Sequence, residues 1–310
     1  MSETSAAEPA LVSIGIPVFN GERYLGQAIE SALAQSYERL EVVVSDNAST
    51  DATPTICRDY VRRDPRVRYS RLRTNVGPIA NFNRVFRLAR GPYFKWLAAD
   101  DVCGPEFVAR CLAVLEAEPG VGLCSTRFVE IDERGAPLGP QPYSIDLSAP
   151  EPHERLGRLL CTSRGHPILY GLIRSDILRR THLLAPYHGS DRALLAELAL
   201  LAPFRELSDE LWQSRDHPGR SPYVAGRGRT WQGSATGPPL AHAVIAAHLL
   251  RVLWTAPLGR TERLRCLGRV ARCVAGRLDQ LLPDFAAEVR DLVVPTGGTV
   301  SGASRPPRGG

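Results

Sequence analysis

Short apolar segments alternate with amphipathic ones over the first 130 residues, and this alternation limits the fold more than any other feature of the chain. The segments apolar enough for strands are residues 11–19, 41–46, 67–72, 93–97 and 121–132. Between them, apolar residues recur at helical spacing. Such a β-α-β-α alternation predicts an α/β fold with a mostly parallel central sheet flanked by helices.

The alternation becomes irregular after residue 126, and this change suggests a division of the chain. The expected parts are a flexible N-terminus (1–10), a regular half (11–125), a second half (126–238) with a glycine-rich loop at 223–238, a C-terminal helical segment (239–294) and a disordered tail (295–310). In the second half, residues 204–217 are expected to form an edge strand or hairpin. In the first half, Gly91 is expected to cap the end of its helix.

The composition is that of an ordinary globular protein. The net charge of +5 is too weak and too dispersed to indicate a nucleic-acid partner. The seven cysteines form no C-x-x-C pair, which indicates reduced, buried thiols in a cytosolic protein. The first ten residues lack the basic and apolar regions of a signal peptide, and the longest apolar stretch, 240–254, is too short to span a bilayer. We therefore expect a cytoplasmic protein.

Polar side chains stand where three predicted strands end. Asn20, Asp46 and the adjacent Asp100 and Asp101 occupy these positions. Ligands of parallel sheets bind beyond the carboxyl ends of the strands, so these residues should converge on one crevice. Two neighbouring carboxylates repel each other unless something positive lies beside them. Asp100 and Asp101 therefore indicate either a turn or helix cap, or a divalent-cation site.

The chain carries none of the glycine-rich sequences that cradle phosphates. Gly15, Gly21 and Gly26 do not have the G-x-G-x-x-G spacing, and no Walker loop occurs. A nucleotide bound here would leave its phosphates to a metal ion. Mg²⁺ is suited to this task, because it takes one or two carboxylates together with substrate phosphates.

Four motifs stand in the order and spacing of a known enzyme family. They are SIGIPVFNGERYLGQAIESALAQSY at 13–37, VVVSDNASTDAT at 42–53, NVGPIANFN at 75–83 and LAADD at 97–101. Together they resemble the family-2 glycosyltransferases of the GT-A fold, strongly over residues 11–130 and as far as residue 222. The resemblance implies a metal-dependent, inverting transfer of a sugar from a nucleoside-diphosphate sugar, expected to be a UDP-sugar, to an acceptor hydroxyl. Residues 11–125 would then bind the nucleotide sugar, and 126–238 the acceptor.

The resemblance also assigns residues to the nucleoside. Pro17, Phe19 and Glu22 would line its pocket. Asp46 would accept a hydrogen bond from the ring N–H of uracil or thymine. Asn83 matches an asparagine on a helix that faces the donor.

A second set of residues would hold the diphosphate. Asp100 matches an acid that binds the ribose or a metal-bound water, and Asp101 matches the acid that ligates Mg²⁺ or Mn²⁺. His217 matches a histidine that completes the contact to the metal or diphosphate. The chain departs from the family's D-x-D-D pattern at its first acid, where Ala98 stands. Some members share that departure.

Asp191 matches the family's catalytic base, an acid that opens a helix beneath the acceptor site. An inverting transfer needs a base on the face of the sugar opposite the leaving diphosphate, and a positioned carboxylate contributes roughly 10²–10⁴-fold in such a role. Asp191 could also be the N-cap of its helix. Asp176 and Asp209 are rival candidates for the base.

Other functions stay open at this stage. A sugar nucleotidyltransferase would release pyrophosphate, and a catalytically silent GT-A-like domain would act as a binding module; the presence of both Asp101 and Asp191 argues against the silent domain. The acceptor would be a saccharide, a lipid-linked molecule or a small molecule. The arginine-rich C-terminal helices can contact an anionic membrane, which would place the protein at its inner face, although such helices more often pack on their own domain.

Overall fold

A computed structural model describes residues 8–139, 144–161, 167–187, 189–219 and 241–276 of the chain. The predicted glycine-rich loop at 223–238 and the predicted tail at 295–310 lie outside these residues, as do most of the predicted flexible N-terminus and the end of the C-terminal helical segment.

The strands of the described residues form one mixed sheet. They are β1 (Val12–Val18), β2 (Leu40–Asp46), β3 (Val67–Arg71), β4 (Tyr93–Trp96), β5 (Val102–Cys103), β6 (Leu123–Ile131), β7 (Leu172–Arg174) and β8 (Phe204–Arg215). Their order across the sheet is β3-β2-β1-β4-β7-β6-β8-β5. The first four positions are parallel, as is the pair β6–β8, whereas β7 runs antiparallel to both its neighbours and β5 runs antiparallel to β8. The predicted mostly parallel sheet is confirmed.

Helices flank this sheet and continue beyond it at the C-terminal end. They are α1 (Leu25–Leu33), α2 (Thr53–Arg63), α3 (Pro78–Leu88), α4 (Phe107–Ala117), α5 (Pro152–Cys161), α6 (Ser175–Arg179), α7 (Ser190–Leu201), α8 (Ala241–Thr255) and α9 (Arg260–Ala275). A 3₁₀ turn, Pro167–Tyr170, precedes β7. The predicted C-terminal helices are therefore present as α8 and α9.

Apolar side chains cover both faces of the sheet. Val42 and Val44 of β2 pack into one apolar cluster, and Val43 between them packs into the other. Successive side chains of a strand point to opposite faces, so a run of valines is what a strand covered on both sides requires. Leu253 of α8 and Val270 of α9 join the same cluster as Val43, which packs the C-terminal helices onto the domain core.

The structure corrects the expected role of Gly91. Helix α3 ends at Leu88, and the next residue, Ala89, is already extended, so Gly91 does not cap the helix. A Cβ atom at position 91 would lie only 2.5 Å from the carbonyl oxygen of Leu11. The glycine therefore allows the chain to pass close to the start of β1.

The structure also decides the form of residues 204–217. They contain one continuous strand, β8, rather than a hairpin, and β8 pairs with β6 along its length and with β5 over two residue pairs. The polar residues Ser208 and Asp209 at its centre resemble a turn, but irregular register around Arg127 of β6 accommodates them. Except for those two pairs, the far side of β8 has no strand partner among the described residues.

Candidate active site

The loops that follow β1 and β2 are joined by hydrogen bonds in both directions. The bonds run from Asn20 N to Ser49 Oγ (2.9 Å), Gly21 N to Thr53 Oγ1 (2.9 Å), Glu22 N to Asp51 Oδ2 (3.0 Å), Thr50 N to Asn20 Oδ1 (2.8 Å) and Ala52 N to Glu22 Oε2 (2.8 Å). Since β1 and β2 are adjacent and parallel, both loops lie at the carboxyl edge of the sheet, where ligands of such sheets bind.

This network holds the two loops in an unusual backbone conformation. Asn20 and Ala48 have φ angles of 50° and 63°, a region that costs a residue with a side chain about 1–3 kcal/mol. Burial raises the pKa of the Asp51 carboxyl, but the hydrogen bonds it accepts from Thr53 and Glu22 outweigh burial, and its pKa lies below the ordinary value. The loops are therefore held in place by their own hydrogen bonds.

The residues predicted to line the nucleoside pocket lie at the end of β1. Pro17 is buried within the strand, opposite Ser45 of β2. Phe19 is 48% exposed, so its ring is accessible to a planar base. The carboxylate of Glu22 accepts the Ala52 N–H, which gives it a role in the loop network. Contact of these three residues with a nucleoside stays a prediction.

Asp46 ends β2 and is fully buried. One of its oxygens accepts the Ser49 N–H at 2.8 Å. The other accepts the Tyr69 hydroxyl at 2.7 Å and lies 3.2 Å from Nε of Arg71. Burial and this hydrogen bond raise the pKa of Tyr69, so the phenol stays protonated and donates. Asp46 is thus held rigidly at the strand end, and its contact with a pyrimidine stays a prediction.

Asn83 lies on α3 and is nearly buried. Its amide nitrogen donates to the Leu184 carbonyl at 2.7 Å, and its amide oxygen accepts the Leu184 N–H at 3.0 Å. Both polar atoms are therefore bonded to the main chain that leads into α7. The structure gives Asn83 this linking role, and a contact with the donor stays a prediction.

Asp101 follows β4 and is almost fully buried. Its Oδ1 accepts the main-chain N–H of Arg215 at 2.9 Å, and its Oδ2 accepts the indole N–H of Trp212 at 3.2 Å. Both donors belong to β8. Asp101 therefore joins the turn after β4 to β8, and its predicted role as a metal ligand is not tested by these contacts.

Asp100 is directed to a different partner. Its Oδ2 lies 3.0 Å from Nε2 of His217, two residues after the end of β8. The Asp100 side chain is 29% exposed and that of His217 is 11% exposed. The two neighbouring carboxylates therefore have separate partners. Asp101 accepts hydrogen bonds from N–H groups of β8, and Asp100 contacts the imidazole of His217.

Arg215 is the site residue that the sequence analysis missed. Its side chain is buried and donates to four acceptors: the main-chain oxygens of Asp100 (2.9 Å), Asp132 (3.1 Å) and Glu133 (3.3 Å), and Oε1 of Gln27 (2.8 Å). The ring of Tyr24 lies 4.7 Å from its guanidinium carbon and 4.9 Å from the His217 ring. The only signal in the sequence is that Arg215 lies two residues before His217.

Asp191 is the second residue of α7 and is partly buried. The N-cap is Gly189, whose φ of 80° favours glycine, so the alternative that Asp191 caps the helix is wrong. Asp191 remains in the first turn, where the helix dipole stabilises a carboxylate. Of the two rival candidates for the base, Asp176 is exposed on α6. Asp209, on β8, forms an ion pair with Arg110 of α4.

The residues at the end of β4 fit a divalent cation. Asp100 Oδ2 and His217 Nε2 are close enough to bind one ion together, and both side chains are partly accessible. Mg²⁺ commonly binds one or two protein carboxylates and completes its coordination shell with water and substrate phosphates. The pair is therefore suited to an ion that is shared with a diphosphate.

Comparison with known families decides which class of protein carries this site. The sequence profile described as Glycosyl transferase family 2 matches residues 13–173, slightly more than half of the 310 residues. The chain belongs to glycosyltransferase family 2. The matched region contains the loops after β1 and β2 and also Asp100 and Asp101. Asp191 and His217 lie beyond it.

This family-2 glycosyltransferase is similar to curated relatives over part of their length. The putative glycosyltransferase EpsE of Bacillus subtilis (strain 168) is 31% identical over 166 residues, which cover 52% of the chain and 55% of EpsE. Chondroitin synthase of Escherichia coli is 36% identical over 126 residues, which cover 40% of the chain and 18% of that protein. The chain therefore spans about half of the first relative and less than a fifth of the second.

Solved structures share its architecture at low sequence identity. S. aureus TarS 1-349 in complex with UDP-GlcNAc has a TM-score of 0.66 and 17% identity, over 91% of this chain and 81% of that one. The mannosyltransferase PcManGT from Pyrobaculum calidifontis, in complex with GDP-Man and Mn²⁺, has a TM-score of 0.53 and 18% identity, over 93% and 88%. The predicted GT-A-like fold is confirmed.

Across the described ranges, no helix of this family-2 glycosyltransferase combines the length and the apolar character needed to cross a membrane.

Proposed function

We propose that this chain transfers a sugar from a nucleoside-diphosphate sugar to an acceptor hydroxyl, with a divalent cation on the diphosphate and inversion at the anomeric carbon. The observation that carries the proposal is the pair formed by Asp100 and His217 at the carboxyl end of β4. TarS and PcManGT, which share the fold, hold UDP-GlcNAc and GDP-Man in their structures. We propose a UDP-sugar, the donor class of the neighbour with the higher TM-score.

The donor would lie along the edge formed by the loops after β1 and β2 and the turn after β4. Pro17, Phe19 and Glu22 would surround the nucleoside, and Asp46 would face the base. Rigid loops suit this purpose because little ordering entropy is lost on binding. Asn83 would hold α3 in position beside the donor, through its two hydrogen bonds to the main chain of Leu184.

Asp100, Asp101 and His217 would hold Mg²⁺ or Mn²⁺ at the diphosphate. When bound, the ion neutralises charge that develops on the leaving diphosphate. The oxygens of Asp101 accept hydrogen bonds from Trp212 and Arg215. Asp101 would therefore keep the turn after β4 in position as well as bind the ion.

Asp191 would take the proton from the acceptor hydroxyl. Its place in the first turn of α7 favours the ionised carboxylate that a base requires. Asn83 fixes Leu184, six residues before α7 begins, and so links the predicted donor helix to the segment that leads to the base. Inversion requires that Asp191 approach from the side opposite the diphosphate.

A panel of nucleotide sugars tests this function. Purified chain is incubated with each donor and with saccharide acceptors, with Mg²⁺, with Mn²⁺ and with a chelator, and free nucleoside diphosphate is measured. We expect metal-dependent release of UDP, and an anomeric configuration in the product opposite to that of the donor. Release of pyrophosphate would instead identify a nucleotidyltransferase, and donor binding without any turnover would identify a silent binding module.

We also propose that the C-terminal helices contact an anionic membrane surface from the cytoplasmic side. Leu250, Trp254 and Leu264 of α8 and α9 are 50%, 79% and 68% exposed. Exposed arginines, including Arg251 and Arg265, accompany them on these helices. Apolar side chains beside cations are the combination that binds anionic lipid interfaces. Such contact would bring the active site close to a lipid-linked acceptor.

A further inference from the structure

Two histidines and a glutamate meet in the second half of the domain, at a place that the proposed sugar transfer does not use. Glu197 lies on α7, His248 on α8, and His182 in the segment between α6 and α7. Nδ1 of His182 is 2.9 Å from one Glu197 oxygen, and Nε2 of His248 is 2.7 Å from the other. One ligand atom from each residue lies within 4.8 Å of the other two.

The burial of this group is uneven. The side chain of Glu197 is 4% exposed and that of His248 is 14% exposed, whereas that of His182 is 43% exposed. Burial raises the pKa of the Glu197 carboxyl, but hydrogen bonds from His248 and His182 outweigh burial, and its pKa lies below the ordinary value. A buried anion therefore lies between two nitrogen ligands, and solvent can reach the group past His182.

We propose that His182, Glu197 and His248 form a zinc site. Two imidazoles and a carboxylate are a set of three protein ligands that binds Zn²⁺ in other proteins, with a fourth position taken by water. Because two of the three ligands are imidazoles, the group favours Zn²⁺ over Mg²⁺, which binds mainly through oxygen. Within the described part of the chain, this is the one group of three histidine, cysteine or acidic side chains whose ligand atoms all lie within 4.8 Å of one another.

The hydrogen bonds within the group are slightly shorter than the spacing of ligand atoms around zinc. Zn²⁺ takes nitrogen and carboxylate ligands at about 2.0–2.2 Å, which places the ligand atoms of a tetrahedron about 3.3 Å apart. The present contacts are hydrogen bonds to different Glu197 oxygens, 2.9 Å from His182 and 2.7 Å from His248, so each nitrogen would move away from its oxygen to admit the ion.

Tyr187, whose ring lies near that of His248, is a candidate partner for a water bound to the ion. The hydroxyl of Tyr187 is buried and has no hydrogen-bond partner among the described residues, and its ring centroid lies 5.9 Å from that of His248. A buried hydroxyl without a partner is costly, by about 1–3 kcal/mol. Water on the zinc would supply the missing partner.

Zinc at this place would connect α8 to the rest of the domain. His248 belongs to the C-terminal helices, whereas Glu197 and His182 belong to the half that carries Asp191. Metal bonds between segments distant in the chain stabilise the folded state, because the unfolded chain cannot present the ligands together. The alternative is a hydrogen-bonded triad that binds no metal, and the two differ in zinc affinity.

The test is zinc binding by the full chain. Metal-free protein is titrated with Zn²⁺ against a chromophoric chelator, and the bound metal is counted by mass spectrometry. We expect one zinc per chain, and we expect His182→Ala and His248→Ala to lower the affinity by roughly 100-fold or more, because an outer-shell partner already contributes about 10–100-fold. Co²⁺ in place of Zn²⁺ should give the visible absorption of a four-coordinate ion, which both variants should lose.

The chain offers a matched control. His153 and Glu262 form a similar pair between α5 and α9, at 2.8 Å, without a third ligand in the described structure. His153→Ala should leave zinc affinity unchanged. His182 is partly exposed, so its variant is expected to fold, which circular dichroism checks. Wild-type chain that binds no zinc at micromolar concentration would overturn the proposal, and so would zinc that is lost in His217→Gln but kept in His248→Ala.

Discussion

The imidazole of His217 lies 3.0 Å from the carboxylate of Asp100, although 117 residues separate them in the chain. Strand β8 brings them together, because it ends at Arg215, whose main chain and side chain bind Asp101 and Asp100 respectively. Each of the two adjacent acids therefore has its own nitrogen partner. The same arrangement leaves Asp100, rather than Asp101, beside the histidine that we predict to be a metal ligand.

This pairing predicts the effect of substitutions on metal-dependent donor binding. Asp100→Asn and His217→Gln should each weaken UDP binding in the presence of Mn²⁺ by about 10–100-fold, because a contact to a charged group contributes about 1.5–3 kcal/mol. Calorimetry with and without Mn²⁺ measures the change. Asp209→Asn, which removes an acid paired with Arg110, is the control and should bind like wild type. UDP affinity that is independent of Mn²⁺ in the wild type would rule out the metal role.

The base is tested by a pair of matched substitutions. Asp191→Asn keeps the size of the side chain but cannot accept the proton, so turnover should fall by roughly 10²–10⁴-fold while donor affinity is retained. Asp176→Asn is the control, because Asp176 is also the second residue of a helix that begins Ser-Asp. Turnover of Asp191→Asn within a few-fold of wild type would mean that the base lies elsewhere.

Arg215 should contribute to the stability of the fold. Arg215→Lys loses the fork of donors that reaches four acceptors, so several buried oxygens would lack partners. The free energy of unfolding should fall by about 2–4 kcal/mol, measured in urea. Arg127→Lys, at an exposed position of β6, should change it by less than about 0.5 kcal/mol. Equal stability of the two variants would contradict this role.

Glu41 should make the stability of the sheet depend on pH. Burial raises the pKa of this carboxyl, but hydrogen bonds from Ser13, the Arg90 N–H and Arg68 outweigh burial and lower it below its ordinary value of 4.5. A lowered pKa stabilises the fold above pH 4.5, and this stabilisation is lost as the pH falls through the folded-state value.

The measurement compares unfolding of two variants across pH. Glu41→Gln should be less stable than wild type by about 1–3 kcal/mol at pH 7, and the difference should shrink as the pH falls below 4.5. Glu38→Gln, at an exposed position nearby, should show no such dependence. A difference for Glu41→Gln that stays constant from pH 7 to pH 3 would show that the carboxylate charge is not the cause.

The membrane proposal rests on the exposed apolar and arginine side chains of α8 and α9. The full chain should sediment with vesicles that contain anionic lipid and not with neutral vesicles, and Trp254→Ser should reduce the bound fraction several-fold. Leu138→Ser removes a residue that is 53% exposed outside these helices and should have no effect. Equal sedimentation of both variants would place the contact elsewhere or show that none exists.

The order of strands and helices in the first half was predictable because it is a local property. The valine run of β2 and the apolar spacing of α1 report which side chains are buried, and burial on a sheet or helix follows from the period of the pattern. The same holds for Asp46 and Asp100, since a polar residue that ends a buried parallel strand must lie at the ligand-binding edge. These features, with the family, were determined by the sequence itself.

The tertiary structure alone decided what each polar group contacts. Nothing in the local pattern indicates that Asp101 binds Trp212 while Asp100 binds His217, or that Arg215 is buried and donates to both acids. Nor does it indicate that Glu197 lies between His182 and His248. These contacts join residues that are far apart along the chain, through the pairing of β6 with β8 and the packing of α7 with α8. The sequence therefore determined which side chains were available at the end of each strand, and the packing of distant elements decided their partners, because hydrogen bonding and ion binding depend on distances that periodicity does not encode.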